Sequence, residues 1–433
     1  GQGKPILDLI LRHASGVLFQ EAQKEVLFFN EQLDLFGNFN RNLELKKTLY
    51  SSVHYTPPYL SRTIVETSLR KVDLTQTSIR IFDPACGSGE FLIETLKQLK
   101  ELNFNGSIVI DGWDSSDSAI STTKFLLSYE KRTIWEDKLT FNLLKVNDSL
   151  EENWNSLYDL VFMNPPFVSW EQMESRARDN VKECFLKDNI KASKPNQASA
   201  FFYKAIRSLN KNGIIGCVIP SSLLTLDSYK HLREVSQELI SIDIVGKLGN
   251  FIFESALTDV SMFIGHKPRE EQNPYVMWVK NEKGAAQNAL RELRKMESNK
   301  LSFVSEPSFS IYKPIKFPIV KEDWKPISYA ENEMIKTFIK LLASEQLVPI
   351  NKIFNVKQGI RTGSNDIFKI TAHAYSQLPK KEMKYFRPSI DNESIISGRI
   401  TINTYLWYPY NKNGLMIKNE EELKLSAPMF YKT

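Results

Sequence analysis

Between residues 79 and 245, short apolar runs take turns with amphipathic stretches, and this alternation constrains the fold more than anything else in the chain. The runs are Ile79 to Phe82, Ser107 to Trp113, Phe141 to Val146, Leu160 to Met163, Ile214 to Ile219 and Ile242 to Val245. Stretches 90–101, 117–130, 198–210 and 222–239 lie among them, with apolar residues at helical spacing. Strand and helix in turn predict an α/β fold, a doubly wound, mainly parallel sheet with helices on both faces. Val260 to His266 and Tyr275 to Val279 read as two further strands with no helix between them, which predicts an antiparallel pair at the sheet edge.

The flanks differ. Residues 5–49 carry helix-spaced apolar positions among Lys and Glu, predicting a helical N-terminal segment over 1–50. The α/β pattern occupies 51–285. A polar stretch followed by a Pro-bearing one, 286–327, reads as a linker, and 328–433 as a smaller C-terminal α+β domain. With 433 residues, 42% of them hydrophobic and 25% charged, the chain has material for two cores, which excludes a disordered or collagen-like protein. No stretch approaches the roughly 20 apolar residues of a membrane span, and GQGKPILDLILRH lacks a cleavable signal. Cys86, Cys184, Cys217 and five scattered histidines have no metal-ligand spacing. The expectation is a reduced, cytoplasmic, metal-free protein. A net charge of +5 suits a nucleic-acid partner without requiring one.

In such a sheet ligands sit beyond the carboxyl ends of the strands. The first strand runs into IFDPACGSGEFLIETL, where Gly87 and Gly89 flank Ser88 and open a helix. Small residues there let backbone N–H groups approach a ligand closely. The second strand ends at Asp114, where an acid can accept from both hydroxyls of a ribose. The third leads to Asp148. After the fourth, Asp159 to Met163, comes Asn164-Pro165-Pro166-Phe167, and prolines that cannot donate to a sheet cut the strand at Asn164. Each feature alone is a common strand end; the four in this order are not.

The series resembles the amino-methyltransferases that use S-adenosylmethionine. Within them it is most similar to the adenine-N6 DNA methyltransferases whose catalytic domain precedes target recognition, as found in restriction-modification systems. HYTPPYLSRTIVETSL resembles the family's motif ahead of the cofactor loop, DPACGSGEF the loop itself, WDSSDSA the ribose site, NDSL the adenine-ring site and NPPF the catalytic loop. With FFYKAIRSL, GIIGCVIP and LGNFIFESALTDVSMFIG the resemblance runs unbroken over about 54–266. It implies a Rossmann-like methyltransferase domain. It also implies cofactor contacts from Tyr55, Thr56 and Pro57 to the methionine end, from Asp83, Pro84, Ala85, Gly87 and Gly89 in the loop, and from Asp114 and Asp148. Double-stranded DNA is the implied substrate, with a separate or fused restriction or specificity component as a partner.

The chemistry accounts for the residue types. An exocyclic amine on an aromatic base is a poor nucleophile because its lone pair is drawn into the ring. Two acceptors fixed around it, the Asn164 side-chain oxygen and the Pro165 carbonyl, favour the pyramidal nitrogen of the transition state over the planar ground state. Pro165 and Pro166 stiffen the loop. Phe167 offers a face for a base turned out of its duplex, and Phe253, or alternatively Phe251, a second wall. Either ring also suits a core position before an edge strand.

The C-terminal unit opens with VPINKIFNVKQGIRTGSNDIFKI, similar to Gly-rich segments that open target-recognition domains in this family. Lys357, Arg361, Gly363 and Asn365 suit phosphate or base contacts there, or form an ordinary exposed turn. LWYPYNKNG at 406–414 is aromatic-rich and equally suits a core. The recognition domain, ending at PMFYKT, is expected to be incomplete or to rely on a partner. Two other functions stay open: a methyltransferase acting on RNA or protein glutamine, and a DNA-specificity module that keeps the fold without turnover. No nuclease motif is evident.

Overall fold

The computed structural model describes the backbone of 26–33 and 39–46, and residues 56–432 apart from 155–156, 254–257, 271–272, 299–301, 320–322, 345–347, 349, 356–358, 361 and 397–398. They divide into a unit that ends at Ala343 and another that begins at Ser344.

Two described stretches of the N-terminal segment correct the helical expectation. β1 (Val26–Leu33) and β2 (Phe39–Lys46) pair antiparallel, Val26 opposite Lys46. FNRNLELK alternates apolar and polar residues from Asn42 onward, a period of two that outweighs the helical composition.

The large sheet is built from β3 (Ser78–Asp83), β4 (Ser107–Asp114), β5 (Leu139–Lys145), β6 (Tyr158–Met163), β7 (Leu209–Pro220), β8 (Ser241–Gly249), β9 (Val260–His266), β10 (Tyr275–Val279), β11 (Phe303–Glu306) and β12 (Phe309–Tyr312). Their order is β11-β12-β10-β8-β9-β7-β6-β3-β4-β5. Only β9 and β12 run against the rest, so the sheet is mainly parallel as expected. Neighbouring residues on a strand point to opposite faces, and both faces are covered. Ile81, Leu160, Phe162 and Val218 enter one core while Phe82, Val161, Met163 and Cys217 enter the other. Each fully buried side chain of this size contributes about 1.5–3 kcal/mol.

The edge-pair expectation fails in its pairing. β9 lies between β7 and β8, antiparallel to both, and β10 pairs parallel with the other side of β8. A missing helix signals an antiparallel return, which β9 makes beside β8; it does not say which strand follows next in space. The linker expectation for 286–327 fails as well. Helix Ala285–Ser298 buries Ala285, Ala289, Leu290, Leu293 and Met296, a helical stripe inside a polar sequence, and β11 and β12 extend the sheet. Trp324, fully buried, stacks on Phe263 at 5.5 Å. The helix Tyr329–Ala343 likewise belongs to the first unit.

Two helices place the site. Helix α1 (Pro58–Leu69) starts with proline at its first position, where the missing N–H costs nothing, and buries Leu60, Ile64, Val65 and Leu69. It lies directly on β7: a Cβ on Gly216 would stand 2.6 Å from Ile64 Cγ2. Helix α2 (Glu90–Glu101) follows Gly89 without a break.

The second unit holds a three-stranded antiparallel sheet in the order Lys369–Thr371, Thr404–Trp407, Phe386–Ser389. Its core gathers Tyr385, Phe386, Ile417 and Ala427. Trp407 stacks on Phe430 at 3.9 Å, so this part of the aromatic-rich segment is core.

Candidate active site

The strand order reverses at β3: β4 and β5 lie to one side, β6 and β7 to the other. Ligand crevices form at such a switch point. The carboxyl ends of β6, β3, β4 and β5 lie side by side there. Asp83 closes β3, only 1% exposed, and its Oδ1 accepts the Ala85 N–H at 3.0 Å. The Pro84 carbonyl accepts the Ser149 hydroxyl at 2.6 Å. Gly87 has φ +52° and Gly89 φ +82°, left-handed values that favour glycine. The Gly87 N–H donates to Asp114 Oδ2 at 2.9 Å, and its carbonyl accepts from Thr123 Oγ1 at 2.8 Å. A Cβ on Gly87 would meet nothing within 4 Å, whereas one on Gly89 would meet Thr123 at 3.0 Å. The space over the loop therefore opens at Gly87 and closes at Gly89.

Asp114 Oδ1 accepts the Ser116 N–H at 2.8 Å, so both of its oxygens hold backbone donors. Asp148, half-buried beyond β5, accepts the Leu150 N–H at 2.9 Å and the Asn180 amide at 2.8 Å. Ser149, Thr123 and Asn180 thus hold the site together, and sequence reasoning missed all three. Their partners come from distant elements and leave no local signature.

Burial pushes the Asp83 carboxyl well above the usual carboxylate range; the Ala85 N–H opposes this and nearby Asp114 adds to it. Burial also raises Asp114, against the Ser116, Gly87 and Ser115 N–H groups. A raised carboxyl holds its proton more tightly in the folded than in the unfolded state. Its stability contribution is full below the ordinary carboxylate range and is lost as pH rises through the folded value. Asp83→Asn, neutral at every pH, is therefore expected to melt above the parent, with the gap widening as pH rises above the ordinary carboxylate range. Parallel melting curves over that rise would mean Asp83 ionises freely in place.

The Asn164–Phe167 loop leaves β6 between α1 and the residues that follow β8. Thr56 is 6% exposed, and its Oγ1 accepts from Asn164 Nδ2 at 3.1 Å. Pro57 caps α1; Pro165 is buried and Pro166 half-buried. Further on, the Val168 carbonyl accepts the Gln197 N–H at 3.0 Å, and the Trp170 carbonyl accepts Arg178 Nε at 2.9 Å, which ties down the far side of the loop.

Phe167 faces Phe253, with ring centroids 6.4 Å apart and planes at 60°. Phe253 is 6% exposed against 48% for Phe251, so the chain brings Phe253 to the loop and leaves Phe251 outward. A base stacked between two rings needs them near-parallel and about 7 Å apart, two van der Waals contacts. Here the pair is closed edge to face.

Tyr55, Lys357 and Arg361 lie outside the described residues. Gly363 and Asn365 are exposed in the second unit, where Asn365 opens the helix Asn365–Phe368 and accepts the Thr362 hydroxyl at 2.5 Å. Among the described residues, no group of three or more His, Cys, Asp and Glu is placed to hold a metal ion, and no helix is long and apolar enough to cross a membrane.

A family model described as N-6 DNA Methylase matches residues 43–308. The type II methyltransferase M.AccI of Acinetobacter calcoaceticus is 23% identical over 290 residues, 66% of this chain and 48% of that protein. M.VspI, a type II methyltransferase of Vibrio sp. (strain 343), is 24% identical over 169 residues, 38% of this chain and 37% of its own length. The matches thus span about half or less of these relatives. Among solved structures, the type IIG restriction endonuclease BpuSI aligns with a TM-score of 0.48 at 15% identity, over 88% of this chain and 47% of that one.

Proposed function

From a chain that belongs to the N-6 DNA methylase family, we propose the transfer of a methyl group from S-adenosylmethionine to the N6 amine of adenine in a specific duplex DNA sequence. The reaction serves a restriction-modification or related defence system, on cytoplasmic DNA, with a restriction or specificity component as a separate or fused partner. One observation carries the reading: an amide, a diproline and an aromatic end β6 beside a glycine loop that opens at Gly87.

The residues fit the cofactor. Open space over Gly87 admits a ligand to the loop backbone, and the Asp114 carboxylate at the end of β4 is an acceptor for ribose hydroxyls. Asp148 and its loop would hold the adenine end of the cofactor and Tyr55, Thr56 and Pro57 its methionine end, with Asp83, Pro84 and Ala85 shaping the turn beneath. When bound, the cofactor supplies an electrophilic methyl on a sulfonium.

The chain's own groups do the rest. Asn164 Oδ1 and the Pro165 carbonyl accept from the target NH2 and draw its nitrogen toward the pyramidal geometry that attacks the methyl. Phe167 and Phe253 part to admit a base extruded from the helix. Lys357, Arg361, Gly363 and Asn365 contact the duplex backbone or base edges.

The test is to incubate purified protein with cofactor and plasmid DNA, then map modified bases by single-molecule sequencing. N6-methyladenine at one short motif is the expected result. Methylation of RNA or protein with every duplex untouched would overturn the reading.

A duplex with 2-aminopurine at the target adds a structural test. Its fluorescence should rise on binding less than full unstacking requires, because flanking aromatics quench it. Phe167→Ala should brighten it and slow transfer while leaving duplex affinity nearly unchanged, since backbone contacts carry most of the binding. Equal brightness in parent and variant would place the base elsewhere.

A further inference from the structure

We infer that Thr56 is a positioning residue for methyl transfer: its hydroxyl, accepting from Asn164 Nδ2, holds the amide with its acceptor end toward the target amine. The inference rests on the function proposed above. An asparagine amide has an acceptor end and a donor end of nearly the same shape, and only the acceptor can polarise an NH2. With the donor end toward the target, two N–H groups would face each other and catalysis would fail. Selection therefore has to come from the surroundings of Asn164.

Thr56 Oγ1 lies 3.1 Å from Asn164 Nδ2, across a separation of 108 residues, and Thr56 is 6% exposed. Burial keeps water from competing for the bond. α1, packed on β7 through Ile64 at Gly216, and Pro57 and Pro58 at its start hold the Thr56 backbone in place. With the Nδ2 end committed to Thr56, the carbonyl end is the one turned away from α1. Donation from the amide N–H also shifts electron density toward Oδ1, so the same bond makes Asn164 a stronger acceptor.

The hydroxyl has a further property. It accepts from Asn164 with a lone pair and has a proton of its own, and only when that proton is donated elsewhere is the hydroxyl an acceptor alone, able to hold Nδ2 and not Oδ1. A carboxylate beside Thr56, such as that of an amino-acid-bearing cofactor, would take that proton and strengthen the bond to Asn164 in turn. Thr56 would then tie the readiness of the catalytic amide to occupancy of the neighbouring site.

Three variants separate this role from simple packing. Thr56→Val keeps the shape and removes the acceptor; Thr56→Ser keeps the acceptor. At saturating cofactor, single-turnover transfer should fall about tenfold or more in Thr56→Val, less than the ~100-fold or greater loss from deleting the Asn164 acceptor itself. Thr56→Ser should recover to within a few-fold. In an Asn164→Ala background, Thr56→Val should have no further effect, because Thr56 acts through that amide. A Thr56→Val enzyme that loses cofactor affinity but turns over normally once saturated would overturn the inference, as would additive losses in the double variant. A readout independent of activity is the Asn164 side-chain NH2 resonance in asparagine-labelled protein, assigned by its absence in Asn164→Ala. It should move and exchange faster in Thr56→Val; an unmoved resonance also overturns the inference. A moved resonance in a protein that methylates no duplex would instead sink the proposed function and leave the hydrogen bond standing.

Discussion

Asn164→Ala is expected to slow methyl transfer by about two to three orders of magnitude, the effect of removing one positioned group from a developing charge. Cofactor and duplex DNA should bind as they do to the parent. The separation follows from where Asn164 sits. It stands at the end of β6, joined through Nδ2 to Thr56, while the loop around Gly87 is held by Asp114 and Thr123. Removing the amide leaves that loop its own bonds. Single-turnover kinetics with separately measured dissociation constants would check this. Turnover within a few-fold of the parent would mean that Asn164 merely ends a strand.

Gly87→Leu should weaken cofactor binding strongly while the sheet stays folded. The backbone there has φ +52°, and both its N–H and its carbonyl are engaged, by Asp114 and Thr123, so the peptide cannot turn over to relieve a side chain. A left-handed leucine is strained by about 1–2 kcal/mol, which a fold of this size can absorb. Nothing lies within 4 Å of the new Cβ, so the side chain stands in the open space over the loop. Calorimetry should show affinity for S-adenosylmethionine weaker by about 100-fold or more, some 2.7 kcal/mol. Unchanged affinity would remove the cofactor from the 83–89 loop.

Strand positions were legible because each is a local apolar run: Val260–His266 and Tyr275–Val279 fall where the pattern puts them. Their partners were not. Insertion of β9 between β7 and β8 is decided by which faces remain uncovered once the parallel core forms, and no local period records that. The same holds for β11 and β12, whose four-residue runs among prolines resemble a linker until β10 offers an edge. At the site, Asp114, Asp148 and Asn164 were legible as strand ends. Thr123 and Ser149 were not, because each acts on a carbonyl at least 36 residues away in sequence. The bond from Thr56 to Asn164 joins two stretches that could each be read alone, but not as a pair.

The edge-to-face contact of Phe167 and Phe253 has a consequence for how substrates compete. The pair's own attraction, about 0.5–1.5 kcal/mol, must be given up whenever the rings separate, whatever enters. A purine restores it, because two π-faces replace one edge contact; an aliphatic or abasic nucleotide has no such face to offer. With the base entering between these rings as proposed, the aromatic pair would act as its own competitor for that place. A DNA site whose base is replaced by a saturated ring should dwell there more briefly than adenine, even when its helix is easier to open.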